Sequence, residues 1–329
     1  MQTEKEEMIN RELIRTKVVQ LVYAYYQNGD KTILSVEKEL EYSLGKAYDL
    51  YHMLLGIIPA VTKEERHRTD IAAARAAREG RQTPSYKFVD NRLAAQISAN
   101  EALSEFRAKQ RLGWEDRMDF VRKLCVLVEQ SGEYSEYMAS GESSYEEDHM
   151  LWRKLYRRFV VGNEDLDEAL EEMSLYWNDD KAIVDTFVLK TIRKFGPDSV
   201  PGQELMPMYK DETDKDYARK LLRASIQNAA EYQGYMTDAS QNWDFSRLAY
   251  MDIVIMQTAI AEMLTFPNIP APVSINEYVS LAKLFSTPKS GGYTNGMLDT
   301  IARHLVDTGR MFKTLEAQGG KGETAEGND

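Results

Sequence analysis

Apolar residues along this chain recur at helical spacing, and no series of alternating apolar runs marks half-buried strands. Ile14, Val18, Leu21, Val22 and Tyr25 share one face of a helix expected over 11–27. Asn28-Gly29-Asp30 stops it, because glycine takes the left-handed conformation that ends helices. A second helix is expected over 34–55, with Ile58-Pro59 ending that hairpin. None of the nine prolines lies between 85 and 196, a stretch rich in Ala, Leu, Glu, Arg and Met that reads as helix. Farther on, Leu248, Met251, Ile255, Ala259 and Met263 form a buried stripe, and 268–272 turns the chain. Ser274 and Glu277 have the spacing of a capping box, which predicts a helix burying Ile275, Val279, Ala282 and Phe285, with Lys283 in its last turn. A final helix is expected to start at 293–299, capped by Asn295, and to bury Leu298, Ile301 and Leu305. The expected fold is all-α.

Charge changes this picture through its placement. The 329 residues carry 53 Asp+Glu and 41 Lys+Arg, a net charge of −12, which argues against indiscriminate binding to nucleic acid or anionic membrane. Residues 129–180 hold fifteen acidic and four basic side chains, nearly the whole excess. Residues 62–110 are basic, with Arg66, Arg68, Arg75, Arg78 and Arg81 close together. The Gly/Ser/Glu-rich stretch 131–144 reads as a loop. Pro197, Pro201 and Pro207 mark a linker, and the glycine-rich 314–329 reads as a disordered tail. Leu151 to Leu155, Tyr176-Trp177 and Asp185 echo 218–221, Asn242-Trp243 and Asp252, which two generic helical hairpins or an old duplication would both produce. The single cysteine, Cys125, excludes an internal disulfide framework and reads as a core residue. No apolar run reaches the roughly 18 residues of a membrane span, and the N-terminus has no signal-peptide pattern, so a cytoplasmic protein is expected.

From Asp252 onward, the residues carry a resemblance. Asp252-x-x-Ile255 leads into 259–264 (AIAEML), followed by Ile269-Pro270 and by 273–277 (VSINE). Leu281-Ala282-Lys283-x-Phe285 and Tyr293-x-Asn295-Gly296-x-Leu298-Asp299 follow in the same order. In order and spacing this resembles the NusB-type transcription antitermination factors, well over 211–313 and loosely over 10–30, through Arg11, Arg15, Gln20, Leu21 and Tyr23. The expected organisation is an N-terminal helical hairpin (1–60), an inserted charged helical region (61–210), a NusB-like RNA- and partner-binding domain (211–313) and the tail. The resemblance implies a bacterial-type, non-enzymatic helical bundle with an additional inserted bundle. It implies binding to boxA-like single-stranded RNA in ribosomal RNA transcripts, together with the small-subunit ribosomal protein NusE, within an RNA polymerase antitermination complex. Oligomeric state stays open, a homodimer among the options.

Single-stranded RNA needs cations for phosphates, rings for bases and polar groups for base edges. The resemblance transfers phosphate contact to Arg11 and Arg15, with Lys17 nearby, although residues 1–30 as a whole balance to −1. Tyr23 and Tyr293 are placed to stack on a base or to pack on a neighbouring helix. Asn295 suits an N-cap, where free amides also attract phosphate. Asp252 suits either the positive end of a helix dipole or a base edge, and Lys283 and Lys289 add charge beside the same loop. The arginines between Arg66 and Arg92 either replace the thinned N-terminal set or line a solvated helix.

Enzymatic readings find no support. No phosphate-binding glycine loop, nucleophile elbow or cysteine pair is present, and His52, His67, His149 and His304 lack ligand spacing, so neither a metal nor a cofactor is expected. An RNA methyltransferase carrying a NusB-like domain would need a catalytic α/β domain, for which no sequence pattern is present. The remaining alternative is a helical scaffold in transcription or ribosome assembly that has lost RNA binding.

Overall fold

A computed structural model describes residues 8–29, 31–141, 143–240, 248–287 and 289–313. Among them are fifteen α-helices, two short 3-10 turns and no strand, so the fold is all-α as expected. In chain order they are α1 (Arg11–Asn28), α2 (Ile33–Leu55), α3 (Ile57–Glu79), α4 (Arg92–Ser98), α5 (Glu101–Gln110), α6 (Met118–Glu129), α7 (Gly132–Ala139) and α8 (Tyr145–Phe159). Then come α9 (Glu164–Met173), α10 (Lys181–Lys194), α11 (Glu212–Gln227), α12 (Ala229–Ala239), α13 (Tyr250–Thr265), α14 (Ala271–Phe285) and α15 (Ser290–Asp307). No described helix is long and apolar enough to cross a membrane. The tail expected at 314–329, the acidic residues 1–7 and the Asn242-Trp243 half of the echo lie outside the described residues.

The helices form two compact units. One holds α1, α2 up to Tyr42, and α11 to α15; the other holds α2 from Ser43, and α3 to α10. In the first, α13 is the axis, packed by α1, α11, α12, α14 and α15. Its sequence is apolar on every side, and a helix of that kind has to be enclosed. Val254 to Met263 are all buried. α1 lies against it with Leu13, Ile14, Val18, Val19, Leu21 and Val22 inward. Asn10 caps α1 by accepting from the Leu13 amide at 2.9 Å, and Gly29, at φ +66°, ends it. Such a cap is worth about 1 kcal/mol.

In the second unit, α6 buries Phe120, Val121, Leu124, Cys125 and Val128 against α3 and α8. Burial raises the Cys125 thiol to about 12, so it behaves as the expected core residue. Lys181 and Asp185 form a buried pair at 2.8 Å, which Tyr156 completes by donating to Asp185 at 2.8 Å.

Local expectations fail where tertiary contacts override them. Pro59 does not end a unit: the chain bends at Gly56, and Pro59 sits in the first turn of α3, where its missing N–H costs nothing. The stretch read as a loop at 131–144 contains α7, capped by Ser131, which accepts from the Tyr134 amide at 3.1 Å. The linker at 196–210 is irregular yet held. Asn100 Nδ2 donates to the Gln203 carbonyl at 2.8 Å, Gln96 Nε2 to the Gly196 carbonyl at 2.9 Å, and the Met8 and Ile9 amides pair with the Pro207 and Met208 carbonyls.

Candidate nucleic-acid interface

α14 starts at Ala271, behind Pro270, so Ser274 lies inside the helix and the expected capping box does not form. Its residues serve another purpose. Ser274 Oγ donates to Glu262 Oε1 at 2.7 Å, and Glu277 accepts from Arg15 Nη1 at 3.1 Å. Arg15 also holds Glu262 with a fork, Nε to Oε2 at 2.8 Å and Nη2 to Oε1 at 3.0 Å. Tyr217 and Tyr278 hydroxyls donate to Glu262 Oε2 as well. The Arg15 and Glu262 side chains are 5% and 0% exposed. Burial alone would raise the Glu262 carboxyl; the fork from Arg15, its charge and the hydroxyl donors outweigh that and hold it below the ordinary carboxylate value. Burial and the adjacent carboxylate push the Tyr217 and Tyr278 hydroxyls far up. Arg15 therefore corrects the phosphate-contact expectation, since its guanidinium is spent on a buried carboxylate.

Lys17 is buried too, at 4% exposure, which withdraws it from the surface. Arg11 stays exposed, its guanidinium 5.3 Å from the centroid of the Tyr217 ring. Lys313 is half-buried, and burial lowers its ammonium to about 8 against the opposing charge of Glu262.

The opposite end of α13 gathers most of the other expected residues. Asp252 is buried in the first turn, and its Oδ2 accepts from Ser290 Oγ at 2.9 Å. Its Oδ1 has no hydrogen-bond partner among the described residues. Tyr293 is half-buried beside it; burial, then the Asp252 charge, raise its hydroxyl. Lys289 immediately precedes α15 and is exposed. Lys283, in the last turn of α14, is exposed and lays its methylenes over Gly291, where a Cβ would come within 2.7 Å of Cγ. Only glycine leaves that passage open. Asn295 is exposed in the second turn of α15, not at its start, because α15 begins at Ser290; the expected N-cap role does not exist.

Tyr23 joins this end through Tyr250, their rings 5.7 Å apart. Tyr26 adds an edge-on contact to Tyr250 at 6.5 Å, and its hydroxyl accepts from Gln257 at 3.1 Å. Sequence reasoning missed Tyr26 and Tyr250; the dense tyrosines at 23, 25 and 26 were the available signal. Asp252 and Glu262 are ten residues apart on one helix, about 15 Å. The end around Asp252 thus combines two exposed lysines, tyrosine rings and a buried carboxylate, while the end around Glu262 is a closed ionic cluster. Among the described residues, no group of His, Cys, Asp and Glu has the arrangement of a metal site.

The fold is an all-helical bundle that presents cations and aromatic rings at one end of an enclosed helix. Comparison with known proteins makes the placement specific. The NusB family model matches residues 181–303, from the start of α10 into α15. A Salinibacter ruber protein named transcription antitermination protein NusB is 34% identical over 109 residues, 33% of this chain and 68% of the relative. One of the same name from Natranaerobius thermophilus is 38% identical over 111 residues, 33% of this chain and 80% of the relative. A third, from Desulforapulum autotrophicum, is 43% identical over 91 residues, 28% of this chain and 64% of the relative. This chain belongs to the NusB family. No solved structure gives a significant match. The chain carries a NusB-type helical bundle and further helices beyond it.

Proposed function

We propose that this protein is an RNA-binding transcription antitermination factor. With NusE it binds boxA-like single-stranded RNA in ribosomal RNA transcripts and promotes read-through by RNA polymerase. The observation that carries this reading is the gathering of Lys283, Lys289, Tyr293 and the Tyr23–Tyr250 pair at one end of α13, all but Tyr23 within the stretch that the family model matches. Cations there meet phosphates and the rings stack on bases, while the buried Asp252 holds Ser290 at the start of α15 and so supports the surface from beneath. Asn295 extends this surface, and Arg11 offers a separate phosphate contact at the Glu262 end; Arg15 and Lys17 are buried. Residues 61–210 read as an insertion that gives the chain its acidity.

Fluorescence anisotropy with labelled boxA-like RNA, with and without NusE, at two salt concentrations tests this. Binding should weaken with salt, by a slope of about 0.7 per phosphate contact. Salt-independent or absent binding under both conditions would leave a protein–protein scaffold as the function.

A further inference from the structure

The unit built from α3 to α10 contains a groove of about 870 Å³ that the preceding reading does not use. Its lining draws on α3 (Pro59, Ala60, Lys63, His67) and on α4 (Ala94, Ala95, Ser98) with Ala99 just past its end. Arg107, Trp114 and Glu115 close one end. The volume falls in the range of small-molecule and nucleotide sites, about 300–1,000 Å³.

Its lining sorts into three kinds of chemistry. Pro59, Ala60, Ala94, Ala95 and Ala99 give the lining an apolar part, which the buried indole of Trp114 joins. That indole is fixed by Nε1 donating to the Met53 carbonyl at 2.9 Å. The rim is cationic. Lys63 and His67 are exposed and make no hydrogen bond or ion pair among the described residues. Arg66 and Arg107 are held by one Nη each, Arg66 on the Val89 carbonyl at 2.7 Å and on Asp90 at 2.6 Å, Arg107 on Glu115 at 2.8 Å. Arg107 Nε also reaches the Leu112 carbonyl at 3.4 Å, and neither Nη1 makes a hydrogen bond among the described residues. Third, Glu64 lines the groove with its side chain 10% exposed, its Oε1 only 3.3 Å from Arg122 Nε. A buried carboxylate beside cations repels an acidic peptide. It suits a base, whose exocyclic amine or ring N–H donates to it while the phosphate meets the rim.

We propose that this groove binds a nucleotide unit of single-stranded RNA, the base on the apolar part of the lining and the backbone phosphates at Lys63, Arg66 and Arg107. It is a second RNA contact, independent of the α13–α15 end, and it stands or falls without it.

The test uses the full chain with fluorescein-labelled decauridine and decaadenosine, in anisotropy at two salt concentrations, with decaglutamate as competitor. Lys63→Ala should cut affinity several-fold and reduce the salt slope by about 0.7. Ala95→Trp, which fills the apolar part from an exposed position, should cost about tenfold or more. Tyr293→Ala, in the other unit, should leave the effect of both groove variants intact. Photocrosslinking of 4-thiouridine RNA should label peptides within 59–67 or 94–118. The proposal is overturned if both groove variants stay within twofold of the parent, if no crosslink maps to those peptides, or if decaglutamate displaces the RNA at equal concentration. Unchanged helical circular dichroism in the two variants ties any loss to the groove.

Discussion

Replacing Arg15 by alanine tests the claim that this residue builds the fold. Arg15 makes three charge-assisted hydrogen bonds, two to Glu262 and one to Glu277, at 2.8, 3.0 and 3.1 Å. With the charge centres about 4 Å apart and an effective dielectric near 20, the attraction to Glu262 is about 4 kcal/mol. Removing one partner of a buried pair strands the other, and such losses run about 3–5 kcal/mol. Three hydroxyls stay on Glu262, from Ser274, Tyr217 and Tyr278, so the lower part of that range is expected at neutral pH. The sign with pH follows from the carboxyl. With Arg15 present, Glu262 titrates below its ordinary value, so its stabilising contribution is complete above that value and fades as pH falls through the depressed one. Without Arg15, burial dominates and the carboxyl takes a proton more readily. The cost of Arg15→Ala should therefore shrink between pH 7.5 and pH 4.5. Urea denaturation followed by circular dichroism, with hydrogen exchange of the α13 amides, measures it. Arg11→Ala, an exposed change on the same helix, is the control. A cost below about 1 kcal/mol at pH 7.5, or one that grows toward acid, would refute the argument.

Other consequences are open to direct measurement. Burial lowers His52 to about 4 from 6.5, with the rings of Tyr48, Tyr51 and Phe106 around it, so the unfolded chain takes up the proton first on acidification. That contribution is whole above pH 6.5 and lost between 6.5 and 4, about 3 kcal/mol in all; in His52→Gln, urea midpoints should fall less steeply across that window. Gly291→Ala should change stability by no more than about 1 kcal/mol, because the Lys283 stem can swing away, yet should weaken RNA binding by displacing the ammonium; equal affinity would exclude Lys283. Tyr293→Ala should reduce affinity for boxA-like RNA by about 1–3 kcal/mol, read in the same anisotropy assay, with Tyr293→Phe retaining most of it.

The helices were legible because their apolar spacing and end residues are local information. Gly29 and the α1 stripe show this, and so does the largely apolar run of α13. The family was legible through the order of short motifs from Asp252 to Asp299. What stayed hidden depends on partners distant in sequence. Ser274 and Glu277 have the spacing of a cap, and only the arrival of Arg15 and Glu262 shows that they serve an ionic cluster. Arg15 looked like a surface cation for the same reason. Asn295 looked like a cap because the helix-starting role of Ser290, fixed by Asp252, cannot be read locally. The groove lined by α3 and α4 has no motif, being made partly of alanines distant in sequence.

The Arg15–Glu262 contact spans 247 positions of chain. Its first half leaves the ribosome early and its second half late. At roughly 5–20 residues per second, about 12–50 s of synthesis separates them. Through that interval α1 has made its charged and apolar side chains but has no α13 to receive them. α13 must then recruit α1, so the bundle closes only after Glu262 has left the ribosome.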